Sequence, residues 1–145
     1  MDLIFPTQHL RIDRREEQDV IWGIIRKKWY VLQPEEWVRQ ALLDWMIREK
    51  GISAPLISVE KEIRYLKLRK RFDVVVYDKA GKAFILCECK APEVPLSQDT
   101  LNQIARYNVS IQAPHLLLTN GKQLLFFSLD NGKYVHQAEG WFESE

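Results

Sequence analysis

The sequence predicts an α/β fold, a mixed β-sheet with helices on its faces. Three observations carry this expectation. A helical pattern opening on Pro34 is followed by three strand-like runs, a second helix and further strands. Residues 72–92 hold two runs rich in Val, Ile and Phe with Gly81 between them, which reads as a β-hairpin. The composition, 46% hydrophobic and 28% charged over 145 residues, is that of an ordinary globular chain long enough for one real core. We therefore read residues 1–145 as a single domain, with 1–30 a peripheral N-terminal extension and the core at about 31–137.

Residues 1–19 are polar and mixed in charge around Arg14-Arg15-Glu16-Glu17, and are expected as a peripheral segment with a short helix. Two apolar bursts, Val20 to Ile25 and Trp29 to Leu32, read as strands or extended pieces flanking the core. Pro34 then sits at its favoured first-turn position, with Gln33 as N-cap. Glu36 falls where it can reach back to the N-cap N–H, and Leu32 with Trp37 fits a hydrophobic staple. Val38, Leu42 and Trp45 recur at helical spacing and face the core. Gly51 is expected as the C-cap, after Arg48 and Lys50 in the last turn. Ile57 to Tyr65 alternates as a strand, with Glu60 on the opposite face from Val59, either joining a site as a further acid or facing solvent. After the hairpin, Pro92 and Pro95 break the chain and Ser97 caps a second helix with Leu101, Ile104 and Ala105 as its buried stripe. Pro114 to Thr119, Gln123 to Leu129 and Lys133 to His136 read as strands, with Asn120-Gly121 and Asp130-Asn131-Gly132 as turns.

Net charge is +1, so global charge makes no case for a nucleic-acid partner. Its distribution says more. Lys61, Arg64, Lys67, Arg69, Lys70 and Arg71 crowd a turn opposed by Glu62 alone, a footprint suited to phosphates, while Glu139, Glu143 and Glu145 make the C-terminal end acidic. Cys87 and Cys89 flank Glu88 and read as reduced thiols in the core, with no zinc-type spacing. His9, His115 and His136 are scattered without readable partners. No leader peptide is evident, and no apolar run approaches the ~18 residues of a membrane span. The expectation is a cytoplasmic protein with no membrane partner.

The chemistry concentrates in the hairpin. If its turn centres on Ala80-Gly81, Asp73 lies directly across from Glu88, with Cβ atoms about 5 Å apart. Lys90 shares the face of Glu88. Two carboxylates so placed repel, and one pKa rises. A hard divalent cation relieves that repulsion, and Mg²⁺ favours carboxylate oxygens while keeping waters. Lys90 is placed to hold a metal-bound water.

Asp73 with Glu88-Cys89-Lys90 resembles the signature of the PD-(D/E)xK nuclease superfamily, the restriction-endonuclease-like fold. A wider set extends the likeness: Pro34-Glu35-Glu36-Trp37-Val38-Arg39-Gln40, Val59-Glu60, Arg71-Phe72-Asp73, Glu88-Cys89-Lys90-Ala91-Pro92, Gln103-x-x-x-Tyr107-Asn108 and Thr119-Asn120-Gly121. Together they resemble the N-terminal nuclease domain of type I restriction enzyme R subunits, over roughly residues 30 to 125. A family-typical Pro before the motif Asp is replaced by Phe72.

The resemblance implies a metal-dependent endonuclease hydrolysing DNA phosphodiester bonds, in restriction/defence or DNA processing. The alternative it leaves is a catalytically inactive nuclease-fold module that binds DNA or a partner protein. It implies Mg²⁺, with Mn²⁺ as substitute, on Asp73, Glu88 and the backbone carbonyl of Cys89. Lys90 would orient or activate the attacking water. Related nucleases carry a glutamate on the first helix; Glu35 borders the inward face, three residues before Val38, and is chosen over Glu36. Gln103 and Tyr107 would contact the substrate strand, and Arg64, Lys67, Arg69, Lys70 and Arg71 the phosphate backbone. The expected partners are DNA and a homodimer or a larger restriction complex. The chain is too short for an ATP-driven motor and lacks a Walker motif, so translocation or specificity is expected from a partner.

Overall fold

Apolar runs of two periods build the molecule, and they sort into nine strands and two α-helices among the described residues. A computed structural model of the chain describes residues 3–142, the side chains of Tyr65 and Leu68 excepted. Glu143 and Glu145 of the acidic C-terminal end lie outside the described residues. The order is β1 (Ile12–Arg15), β2 (Gln18–Trp22), β3 (Trp29–Val31), α1 (Pro34–Arg48), β4 (Ile57–Tyr65), β5 (Leu68–Tyr77), β6 (Ala83–Cys89), α2 (Gln98–Ile111), β7 (His115–Thr119), β8 (Leu124–Asp130) and β9 (Lys133–His136).

Strands β4 to β9 pair in sequence order into a six-stranded mixed sheet. Every pairing is antiparallel except β6 with β7, which run parallel. A parallel pair needs a crossover, and α2 supplies it. One face of the sheet packs Val74, Val76, Cys87 and Leu117 against Val38, Leu42 and Met46 of α1. The other packs Val75, Leu86, Leu116 and Leu118 against Ile104 of α2. This is the α/β architecture expected from the sequence.

The N-terminal segment differs from expectation. Instead of a short helix, Ile12–Arg15 and Gln18–Trp22 form a hairpin that β3 extends to a second, three-stranded sheet. Its tight turn puts Glu16 at φ +49° and Glu17 at φ +66°, and Arg14 and Arg15 pair with Asp19 and Asp13. The charges that suggested a solvated helix are cross-strand and same-strand partners. This sheet covers the outer side of α1, so the helix is buried nearly all round. Ile21 is fully buried, and the polar Arg39, Gln40 and Asp44 are buried as well. The side-chain Oε1 of Gln40 accepts from the Ile24 N–H at 3.0 Å.

Helix α1 begins at Pro34 after Gln33, as its sequence requires, but Glu36 does not cap it: no side chain bonds the first-turn N–H groups. The chain leaves the helix at Glu49, and Gly51 turns it out at φ +69°. In α2, by contrast, Ser97 Oγ accepts from Thr100 N–H as an N-cap should. Asn108 is buried at the far end of α2, bonded to both backbone groups of Ala113.

Two features of the central strands position the site. Val74 pairs with Cys87, Val75 with Leu86 and Val76 with Ile85, the register anticipated for the hairpin, before a bulge between Val76 and Tyr77 leads into the turn. Asp78 holds that turn, accepting from Ala80 and Lys82 N–H groups at 2.9 Å each. The basic segment, expected as a turn, is instead strand on both sides of a two-residue turn at Leu66-Lys67, with Arg64 opposite Arg69. Midway along this hairpin the ladder is interrupted at Glu60 and Asp73. Residues two apart on a regular strand share a face, yet Phe72 lies in the α2-side core and Val74 in the α1-side core. Val59 and Ile63 divide in the same way. Both strands turn over at one rung, where Glu60 adopts φ +51°.

Candidate active site

The rung where β4 and β5 turn over frees Asp73 from either core. Its Oδ2 accepts from the Cys89 N–H at 2.8 Å, tying the carboxylate to the end of β6. The register carried one step past Val74 and Cys87 sets Asp73 beside Glu88. Within a strand, a residue's N–H and C=O point to the same side, so the Cys89 carbonyl also lies on the Asp73 side.

Glu88 is buried, only 9% exposed. Burial and then the Asp73 charge push its carboxyl from the ordinary 4.5 up to about 7, while the Lys70 ammonium works the other way. Lys70 Nζ stands 3.2 Å from Glu88 Oε1, but off the line of a hydrogen bond, so this buried oxygen has no hydrogen-bond partner. The same ammonium lies over the Phe72 and Tyr107 rings, at 5.6 and 6.0 Å. Lys70 is thus next to the acid rather than out on the substrate track where the sequence suggested it. Position 70 pairs with Ile63 on the α2 side of the hairpin, and only that pairing reveals its direction.

A cleft of about 470 Å³ opens on the other side of Asp73, bordered by Glu35, Glu36, Arg39, Glu60, Arg71 and Tyr30. The three glutamates around it have different surroundings. Glu36 bonds Arg39 and Gln40. Glu60 bonds Arg39 and Arg26 at 3.0 Å each. Burial would raise Glu60, but the hydrogen bond and charge of Arg39 hold its carboxyl below the ordinary range. Burial likewise works against the Arg39 charge, and its two carboxylates more than offset it. Glu60 therefore lines the cleft but is committed to two arginines, and Glu36 to Arg39. Glu35 makes no hydrogen bond or ion pair with the described residues. Its carboxyl is pushed up by burial and by the Asp73 charge, against the Lys90 ammonium, and it shares the cleft with Asp73.

The remaining predicted residues divide. Arg71 borders the cleft. Lys90 is half-buried, with its N–H on the Thr119 carbonyl at 2.8 Å. Tyr107 reaches the site through Lys70, whereas Gln103 is exposed on α2. Arg64, Lys67 and Arg69 are exposed along the hairpin, away from the acids. His115 sits among Phe84, Phe126 and Phe142 with Nδ1 2.8 Å from Ser128 Oγ, and burial lowers it to about 4; it takes no part in the cleft. Arg39 went unread as a site residue, although a cation three residues after Glu36 on an inward helical stripe was the available signal.

Among the described residues, no three His, Cys, Asp or Glu side chains gather as a ready metal cluster. A cation here would rest on Asp73, Glu88 and the Cys89 carbonyl, with Glu35 completing the shell directly or through water. Glu88 Oε1, buried with only the Lys70 ammonium beside it and no hydrogen bond in good geometry, fits that use.

Two comparisons bear on this arrangement. The family described as Type I restriction enzyme R protein N terminus (HSDR_N) matches residues 34–139, from the first residue of α1 to beyond β9. No curated protein matches the chain.

Proposed function

Because the chain belongs to the type I restriction enzyme R protein N-terminal family, we propose that it serves a restriction or defence role as a metal-dependent endonuclease domain, hydrolysing DNA phosphodiester bonds beside partners in a larger complex. The observation that carries the reading is the meeting of Asp73 with a buried Glu88 whose Oε1 has only the Lys70 ammonium beside it. Two carboxylates forced together in a poorly solvated place call for a cation between them.

Asp73, Glu88 and the Cys89 carbonyl would hold Mg²⁺, or Mn²⁺ in its place. When bound, the metal would lower the pKa of a water and offset charge on the phosphate. The protein's own groups do the rest. Lys90 has three donors and no acceptor, so it orients the oxygen of the attacking water without competing as a ligand. Glu35, across the cleft shared with Asp73, accepts from the same water network. Arg71, at the cleft edge, meets the phosphate diester with a planar fork. Tyr107 steadies Lys70, which offsets the Glu88 charge until the cation arrives. Arg39 keeps Glu36 and Glu60 out of the coordination shell and fixes the first turn of α1, from which Glu35 projects.

Plasmid nicking in Mg²⁺ or Mn²⁺, read beside metal calorimetry, tests this. Wild type should nick, and Asp73→Ala should lose both nicking and metal binding. Metal-independent DNA binding with no cleavage in either metal would favour the non-catalytic module.

A further inference from the structure

Past Asp73, strands β4 and β5 run on as a two-stranded arm; one face, with Phe72 and Ile63, packs on the α2-side core, and the other is free of both cores. Leu66 lies seven residues from Asp73, roughly 23 Å along the strand at about 3.3 Å per residue. Two things are wrong with Leu66 if the arm serves only folding. It is 90% exposed, with φ +57°. Two-residue hairpin turns favour Gly, Asn or Asp at such angles, because an L side chain there crowds the following carbonyl. A Leu at that corner accepts backbone strain and gains no burial in return.

The flanks point the same way. Arg64 stands directly opposite Arg69, and Glu62 opposite Arg71. Cross-strand partners and residues two apart share a face, so all four lie on one side of the ribbon. Like charges opposed across a ladder repel, and the one carboxylate there, Glu62, is 3.3 Å from Arg64. Arg71 ends the track at the cleft. The arm is a basic ribbon that starts at the proposed site and ends in an unburied apolar corner, with Lys67 beside it.

We propose that the β4–β5 arm lies along a groove of duplex DNA, with Arg64, Lys67 and Arg69 on the phosphates and Leu66 wedged between base pairs. A two-stranded ribbon fits a DNA groove, and apolar wedges unstack base steps where a protein kinks a duplex. This deepens the nuclease reading, from which it takes DNA as substrate, by making that substrate a duplex distorted at a fixed distance from the cut.

The test needs no cleavage. A short duplex carrying 2-aminopurine, whose fluorescence rises when it unstacks, is titrated with protein in EDTA while anisotropy reports binding. Wild type should bind and raise the fluorescence several-fold. Leu66→Ser should bind within a few-fold of wild type with no rise. Leu66→Gly should also lose the rise while raising Tm, since glycine tolerates the angle. Arg64→Ala with Arg69→Ala should weaken binding more than tenfold and flatten the salt dependence by about 2 in slope. Duplex binding without a fluorescence rise overturns the proposal, as do a full rise in Leu66→Ser, a preference for single strands, and no duplex binding at all. Nicking without unstacking would sink the wedge and leave the nuclease reading standing; unstacking without nicking in any metal would do the reverse.

Discussion

Glu88 makes the site's electrostatics measurable without any substrate. Its carboxyl moves from 4.5 in the unfolded chain to about 7 in the fold. A gap of that size is worth roughly 3 kcal/mol, at about 1.4 kcal/mol per pH unit. Below pH 4.5 the folded and unfolded chains both hold the proton, and nothing is lost. Between pH 4.5 and 7 the unfolded chain releases it while the fold keeps it, so stability falls as pH rises through that window. Above pH 7 the loss is complete. Glu88→Gln, nearly isosteric and unable to ionise, escapes it. In EDTA the variant should match wild type near pH 4 and exceed it by roughly 3 kcal/mol at pH 8, or about 6–12 °C in Tm for a chain of this size. Added Mg²⁺ should raise the Tm of wild type at pH 8 and narrow the gap, because a ligand of the folded state stabilises by mass action. Thermal denaturation across pH decides it. A Glu88→Gln advantage that is the same at pH 4 and pH 8, or a disadvantage at pH 8, would refute the buried-acid argument.

Glu36→Gln removes one carboxylate from the buried Arg39 and should cost about 2 kcal/mol, less than the 3–5 of a fully broken buried pair because Glu60 remains; chemical denaturation reads it. Glu35→Gln, on the same turn but unpaired, should leave Tm nearly unchanged and lower nicking at least tenfold, so equal losses of Tm in the two variants would contradict the division of roles. Lys90→Ala should keep DNA affinity and metal binding within a few-fold while nicking falls by about 10² or more, the scale of a water-positioning or proton-transfer group. Lys70→Met takes an ammonium from 3.2 Å beside Glu88 and should tighten Mg²⁺ several-fold by calorimetry at pH 8.5; weaker binding would show that Lys70 supports the cation rather than standing in for it.

The hairpin was legible because its physics is local. Alternating Val, Ile and Phe around Gly81 determine a register, and a register puts Asp73 across from Glu88. Pro34 and Ser97 located the two helix starts for the same reason. What stayed hidden depends on contacts between distant segments. Glu36 has the right spacing for a cap, but Arg39 offers it a charged partner in a buried place, and the charge-assisted bond wins. Arg39 and Gln40 look like surface residues until Tyr30 covers the first and the Ile24 N–H meets the second. Nothing in the alternation of β4 and β5 announces that both turn over at one rung, since each half alternates normally. Lys70 reads as a surface cation for that reason: counted without the turnover, its face is ambiguous.

The double-sided burial of α1 has a consequence for what counts as the unit of this protein. The family likeness starts at Pro34, but the contacts that pack α1 and hold Glu60 start earlier in the chain. The Ile24 N–H completes Gln40, and Arg26 reaches across to Glu60 and the Val59 carbonyl, at 3.0 Å in each case. A fragment cut at the family boundary would keep every acid of the site and lose the backing plate of the helix that presents Glu35. The buried Gln40 amide oxygen would lose the Ile24 N–H, and Glu60 would keep Arg39 but lose Arg26. The stretch that matches the family and the stretch that completes the packing of α1 are therefore different lengths of chain, and the three-stranded sheet backs the helix that carries Glu35.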